Sequence, residues 1–335
     1  MASARSPLVT ALTLIVFTVL CFHNADAGTV YTFGNETFGG KPISDGVDVT
    51  AQLRDLKDPV MQVAATGFAF AAVRKSGKVV VWGRTDRGGS TKKLKAAGAD
   101  TGVKSVVGCR LGAFAALKTN GKVTSWGRVL SGGSGAITAD VEKRLDALDS
   151  ISNLYATPYG GWLAVDSKGR VEVWGDPTAG GSLAKAASSV ANDLKSGVAQ
   201  VFSTDHAFAV IKADKTVVSW GPDVFKETGV DASTLVTYES VKAKLVNVEQ
   251  IVSTQNAFAA RTAAGAVVVW GSKKHGAYPD NGATDGEVCL RFLIEFCACL
   301  FAAVSVVPYA VNARDEPCTL CTSVACSLHR ARYAD

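Results

Sequence analysis

Five times along the chain, a short apolar run rich in small residues precedes a second run that ends in Trp-Gly. The first runs are 69–73 (AFAAV), 113–117 (AFAAL), 161–165 (GWLAV), 207–211 (AFAVI) and 257–260 (AFAA). The second runs are GKVVVWG at 77–83, GKVTSWG at 121–127, GRVEVWG at 169–175, KTVVSWG at 215–221 and GAVVVWG at 265–271. From the aromatic of the first run to the Trp of the second the distance is 12 residues in every copy. Between the runs lie Ser76-Gly77, Asn120-Gly121, Lys168-Gly169, Asp214-Lys215 and Ala264-Gly265. A two-residue link of this kind between alternating runs predicts a tight β-hairpin whose primed turn has positive φ at its centre. A further strand is predicted just upstream, at Val106-Val107, Val201-Phe202 and Ile251-Val252. Val49, Leu53 and Leu56, then Val141, Leu145 and Leu148, then Leu183, Val190 and Leu194 before Gly197, have helical spacing and predict short helices between modules.

A sixth, altered copy, GTVYTFG at 28–34, precedes the five. The repeated aromatics Phe33, Trp82, Trp126, Trp174, Trp220 and Trp270 are spaced 49, 44, 48, 46 and 50 residues apart. A period of this size marks a repeat array in which no unit buries its apolar face alone, so these six residues are expected in the structural core. Repeated antiparallel sheets of this length stack as a solenoid or radially as a propeller. The ends favour the ring: 28–34 is a second half without a first, and Leu300-Phe301-Ala302-Ala303-Val304 is a first half without a second. Pairing them would leave no open edge strand.

The aromatic strand, the Gly turn, the V-x-x-W-G ending and the roughly 50-residue unit resemble the repeat of the regulator of chromosome condensation family. Its superfamily also contains the secreted β-lactamase-inhibitor propeller. The resemblance spans about residues 28–280 and implies an all-β fold, a β-propeller of six or seven blades. The chain departs from the family pattern in having five whole units and one split one. Where the family often places G-Q-L-G after W-G, this chain has only Gly88-Gly89, Gly132-Gly133 and Gly180-Gly181, or nothing. The nuclear member is a guanine-nucleotide exchange factor that binds chromatin, and no residue of either member's binding surface can be placed here by motif.

Composition separates three regions. In residues 1–27, Arg5 precedes the apolar run 8–22, and Ala25-Asp26-Ala27 presents small residues where a signal peptidase cleaves, which predicts a secretory signal ending before Gly28. Residues 28–287 are the repeats, and 288–335 form an apolar tail with six of the eight cysteines. A signal places the mature chain outside the cell and argues against the exchange-factor activity. Asn35-Glu36-Thr37 is then a glycosylation sequon. The apolar stretch 296–313, broken by Pro308, is the one route to a membrane anchor, which would make this a type I surface protein. Cys318, Cys321, Cys326 and His329 have the ligand types of a tetrahedral zinc site. Their spacing matches no zinc module, however, and disulfides compete for thiols in an oxidising compartment, so no metal or other cofactor is expected.

The net charge of +5 is dispersed rather than clustered, which excludes a nucleic-acid footprint. No HExxH, GxSxG, GxxxxGK[ST] or GxGxxG occurs, and no catalytic residue is assigned. Ser134 lacks elbow spacing, and His206, just before the Ala207-Phe208 strand, is read as a satisfied loop histidine in preference to a surface ligand residue. Binding is expected on the loops that follow each W-G, since loops vary without disturbing the scaffold. They supply Arg84, Asp86, Arg87, Arg128, Asp176, Asp223, Lys273, Lys274, His275 and Tyr278. The leading function class is a secreted or surface-displayed binding propeller that recognises a protein or glycan. The rival is an extracellular enzyme with converging ionisable groups, and an intracellular exchange factor ranks third.

Overall fold

A computed structural model describes residues 29–184, 188–221 and 235–277. The signal segment, Asp223, Tyr278, the tail segments 296–313 and Leu300–Val304 by position, and Cys318, Cys321, Cys326 and His329 all lie outside the described residues. No helix among the described residues is long and apolar enough to cross a membrane.

Among the described residues, a two-stranded hairpin, β1 (Ile43–Ser44) and β2 (Val47–Asp48), is followed by five propeller blades, one for each whole repeat. The first blade is β3 (Val60–Ala65), β4 (Ala69–Arg74) and β5 (Val79–Gly83). The second is β6 (Val103–Cys109), β7 (Ala113–Lys118) and β8 (Val123–Gly127). The third is β9 (Ile151–Ala156), β10 (Gly161–Asp166) and β11 (Val171–Gly175). The fourth is β12 (Val198–Ser203), β13 (Phe208–Lys212) and β14 (Val217–Trp220). In the fifth, β15 (Leu235–Val236) adds a fourth strand to the outer edge of β18 (Val267–Ser272), beside β17 (Ala257–Thr262) and β16 (Val248–Ser253). All pairings are antiparallel, and every blade sets its aromatic opposite its Trp: Phe70↔Trp82, Phe114↔Trp126, Trp162↔Trp174, Phe208↔Trp220 and Phe258↔Trp270.

The hairpin turns correct the two-residue expectation. Gly77 N–H donates to Arg74 C=O while Arg74 N–H donates to Lys78 C=O, and the same pair of bonds recurs in all five blades. This is a three-residue loop in which only the last residue is left-handed, the type I turn with a Gly bulge. Gly77, Gly121, Gly169 and Gly265 have φ of 78°, 82°, 71° and 84°, and Lys215 takes the same conformation at 65° without being glycine.

Short helices connect the blades: α1 (Thr50–Leu53), α2 (Thr91–Ala96), α3 (Ala139–Asp146), α4 (Ser188–Asp193) and α5 (Tyr238–Val241). Leu53, Leu94 and Leu145 anchor the first three in the core. Leu56 is exposed because α1 ends at Leu53 and Asp55 then turns the chain by accepting from Lys57 N–H.

Successive blades pack face to face, the aromatic face of one upon the Ala/Val face of the one before. Phe114 and Trp126 lie on Ala69, Ala71 and Val81, and Trp162 and Trp174 lie on Ala113 and Ala115. Small residues on one side let the rings of the other approach, and ring pairs such as Phe114–Trp126, at 5.1 Å, fill the gap. Each buried indole N–H needs an acceptor. Trp82 Nε1 donates to Gly39 C=O at 3.1 Å, Trp126 to Gly88 at 3.0 Å and Trp220 to Gly180 at 3.1 Å, each time a glycine in the loop before the blade.

The third blade differs. Trp162 replaces the usual Phe, takes Ser131 C=O at 2.9 Å, and leaves Trp174 Nε1 buried without a partner. Trp174→Phe is therefore expected to cost no more than about 1 kcal/mol, while Trp126→Phe, which also orphans Gly88 C=O, costs about 2 kcal/mol. Urea unfolding of the two variants checks the difference, and equal costs would remove this account of Trp174.

Phe33 is a correction to the expected core: it is 86% exposed and belongs to no strand. Its partner half-module falls outside the described residues. The first blade's aromatic face is covered instead by Val30, Val49 and Leu53. That cover is incomplete: Val63 is 46% exposed, whereas its counterparts Val106, Leu154 and Ile251 are buried.

Candidate functional site

The end of the blades that carries the W-G loops is built from two loop sets. The first is a 3-10 turn closed by a left-handed glycine: it follows β5, β8, β11 and β18 as Thr85–Arg87, Val129–Ser131, Pro177–Ala179 and Lys273–His275, closed by Gly88, Gly132, Gly180 and Gly276, and precedes β1 as Glu36–Phe38, closed by Gly39. The second set joins the first and second strands of each blade. Its loops are tied in series by backbone hydrogen bonds: Gly67 N–H to Arg110 C=O, Leu111 to Pro158, Tyr159 to Asp205, and Asp205 to Gln255.

A recurrent hydroxyl locks the two sets together. Thr66, Thr157 and Thr254 Oγ1 each accept the N–H that opens the second strand and donate to a carbonyl of the 3-10 turn, at Arg87, Ala179 and His275 respectively. Cys109 stands at this position in the second blade, its Sγ 3.8 Å from Ser131 C=O. That contact accounts for a lone cysteine in the repeats. Burial pushes its thiol pKa upward, which keeps it protonated and unreactive at neutral pH.

Of the residues singled out in the sequence, Arg84, Asp86 and Arg87 form one cluster. Arg84 Nε donates to Asp86 at 2.7 Å, and the guanidinium groups of Arg84 and Arg87 lie 5.4 and 5.0 Å from the centre of the Phe68 ring. Phe38 stacks on Phe68 at 5.7 Å. Burial pushes the Asp86 carboxyl upward, but the hydrogen bond and charge of Arg84 outweigh it and hold the pKa below the usual range. Arg87 Nη1 also donates to Leu111 C=O at 2.8 Å, across to the next blade. Arg128 donates to Ser131 Oγ, Asp176 caps its own turn at Thr178, and His275 sits between Ser272 Oγ and Asn256. Lys273 and Lys274 lie in the same 3-10 turn as His275. Arg87, Asp176 and His275 thus hold loops in place as well as facing outward.

The second loop set carries residues that the sequence reading, His206 apart, passed over. After the constant Thr or Cys stand Gly67-Phe68, Arg110-Leu111, Pro158-Tyr159, Asp205-His206 and Gln255-Asn256, followed in the second and third blades by a further glycine, Gly112 and Gly160. No two of these pairs are alike within an otherwise repeating unit. The rings of Tyr159 and His206 lie 4.1 Å apart, tilted by 35°, and His206 Nδ1 lies 3.3 Å from Thr178 C=O, so this pair bridges the third and fourth blades. Arg110 is exposed. Among the described residues no three His, Cys, Asp or Glu side chains converge as a metal site. The arrangement offers rings, guanidinium groups and carboxylates, among them Asp86 paired with Arg84.

No family model matches the chain, and no curated protein matches it. Solved structures do. Prp20p from Saccharomyces cerevisiae is 15% identical with a TM-score of 0.44, and the match covers 73% of this chain and 68% of that one. Yeast RCC1 (Prp20) bound to Kap60 is 14% identical with a TM-score of 0.42, covering 71% and 65%. The entire ectodomain of the Physcomitrella patens receptor kinase CR4 is 14% identical with a TM-score of 0.41. That match covers 71% of this chain, which spans about half of the ectodomain, 55%.

Proposed function

We propose that the chain is a non-enzymatic binding propeller, secreted or displayed at the cell surface, that recognises a protein or glycan partner through the loops at the W-G end of its blades. The carrying observation is the contrast between constant scaffold and changing loop pairs. The Trp stations, the glycines and the hydroxyl locks repeat, while the pairs at 67–68, 110–111, 158–159, 205–206 and 255–256 differ and are tied in series through their backbones. Rigid presentation of varied side chains lowers the entropy lost on binding. Arg84, Phe68, Arg110 and the Tyr159–His206 pair are the contact residues in this reading. The proposed route outside the cell rests on residues 1–27. With it, the exposed Asn35, whose side chain accepts from Thr37 N–H, is a glycosylation site.

Photo-crosslinking side chains placed at Phe68, Arg110 and Tyr159 of the full chain in secreting cells are expected to capture one partner. The same groups at Ser76, Asn120 and Lys168, in the hairpin turns, are expected to capture none. Equal capture from both sets would overturn the choice of surface. Recovery of the chain only inside cells, with residues 1–27 attached, would overturn its location.

A further inference from the structure

The outer edge of a blade's last strand is an open row of N–H and C=O groups unless something lies along it. At single points along several of these edges this chain supplies a partner. Val79 N–H of β5 donates to Asp100 C=O, Val171 N–H of β11 to Leu194 C=O, Val217 C=O of β14 accepts from the Tyr238 hydroxyl, and β18 carries β15. On β8, among the described residues, no backbone carbonyl takes the Val123 N–H, and at the far end Ser134 N–H reaches Gly127 C=O only at 3.5 Å. Beside this edge runs a cleft of about 720 Å³, whose wall includes Val123, Thr124 and Ser125.

Two further features distinguish this cleft. The turn at its end carries Val129 and Leu130, 66% and 70% exposed, where the corresponding pairs Glu36-Thr37, Thr85-Asp86, Pro177-Thr178 and Lys273-Lys274 hold no branched aliphatic residue. The cleft is also basic, with Lys93, Lys118 and Lys122 lining it against Glu142. Lys122 pairs with both Glu142 and Asp146, at 3.3 and 2.5 Å, so with Lys93 and with Lys118, whose Nζ donates to Gly98 C=O, the five groups keep a net positive charge of one. How such an edge is filled can be read from the same chain: on β18, Leu235 pairs antiparallel with Ser272 and Val236 with Gly271.

We infer that the β8 edge binds an extended acidic segment of a partner protein, which adds as a fourth antiparallel strand as β15 does on β18. Its backbone bonds to the edge at Val123 and Ser125, its carboxylates face Lys93 and Lys118, and an apolar side chain covers Val129. The inference rests on the reading of the chain as a binding scaffold but names a surface separate from the W-G loops.

The probe is a fluorescein-labelled Glu-Val-Glu-Val-Glu-Val peptide titrated into the full chain and followed by anisotropy. Saturable binding is expected, weakened at least about tenfold in a Lys-Val peptide, in a peptide N-methylated at alternate residues, and in the Lys93→Glu/Lys118→Glu variant. Val129→Asp weakens it similarly, with an unchanged melting temperature. Amide exchange at Val123 and Ser125 slows when the peptide is bound. No saturation below about 1 mM, equal binding of the N-methylated peptide, or protection elsewhere than β8 would overturn the inference. So would binding of phosphatidylserine vesicles by the same lysines in place of the peptide. None of these variants touches Phe68, Arg110 or Tyr159, so loop crosslinking that survives alongside a failed titration sinks the edge site alone.

Discussion

Replacing Gly88 with Ala is expected to lower the stability of the chain by about 2–4 kcal/mol, whereas the same change at Gly121 costs about 1 kcal/mol. Both glycines have positive φ, 103° and 82°, so both variants strain the backbone. At Gly121 no heavy atom lies within 4 Å of the added methyl, and strain is the whole cost. At Gly88 the methyl falls 2.6 Å from Cδ2 and Cε2 of Phe114, a fully buried ring stacked on Trp126. The ring has nowhere to go, because Gly88 C=O also holds the Trp126 indole and any retreat of the loop breaks that bond. One atom thus loads the interface between the first two blades, and the damage should spread as lost cooperativity between repeats. Urea unfolding followed by Trp fluorescence measures both variants. Equal midpoints would show that the glycine turn does not lock neighbouring blades.

The same glycine shows how far the sequence carries the fold. The 12-residue spacing from aromatic to Trp is legible because it is set by hairpin register, the most rigid feature of the unit. The turn type was not legible: Ser76-Gly77 and Asn120-Gly121 are compatible with two loop geometries. The choice depends on whether the residue before Gly is left-handed, which register and twist decide. Phe33 matched a Trp station in seven letters, yet a station exists only where a neighbouring sheet covers it, and Phe33 has none among the described residues. The pairs Gly88-Gly89 and Gly180-Gly181 are visible in the sequence as remnants of a family motif. Their place beneath the next blade's aromatic is not visible, since it joins residues 26 or 28 positions apart. Charge drew attention to Arg84, Arg87 and His275. Phe68, Tyr159 and Arg110 were reachable only by aligning the repeats and asking where they disagree.

A second large effect is expected at Asp166, which is 2% exposed and accepts four hydrogen bonds. One oxygen takes Lys168 and Arg170 N–H, both at 2.8 Å, and the other takes Asp149 N–H at 3.0 Å and Arg170 Nε at 2.6 Å. The carboxylate joins the β10–β11 turn to the segment entering β9. Asp166→Ala leaves three backbone donors and a guanidinium without it and should cost about 3 kcal/mol at pH 7. Burial pushes this carboxyl upward, yet its donors outweigh burial and hold the pKa below the usual aspartate range. A depressed folded-state pKa means that the stabilisation is complete above the unfolded value, about 3.9, and is lost as pH falls below it. Asp55, Asp58, Asp149 and Asp214 are shifted the same way, so the whole chain should weaken in acid. Only the difference between wild type and variant isolates Asp166, and that difference should shrink as pH falls below about 4. A gap that stays constant from pH 7 down to about 3 would mean that the neutral carboxyl holds the turn as well as the anion does.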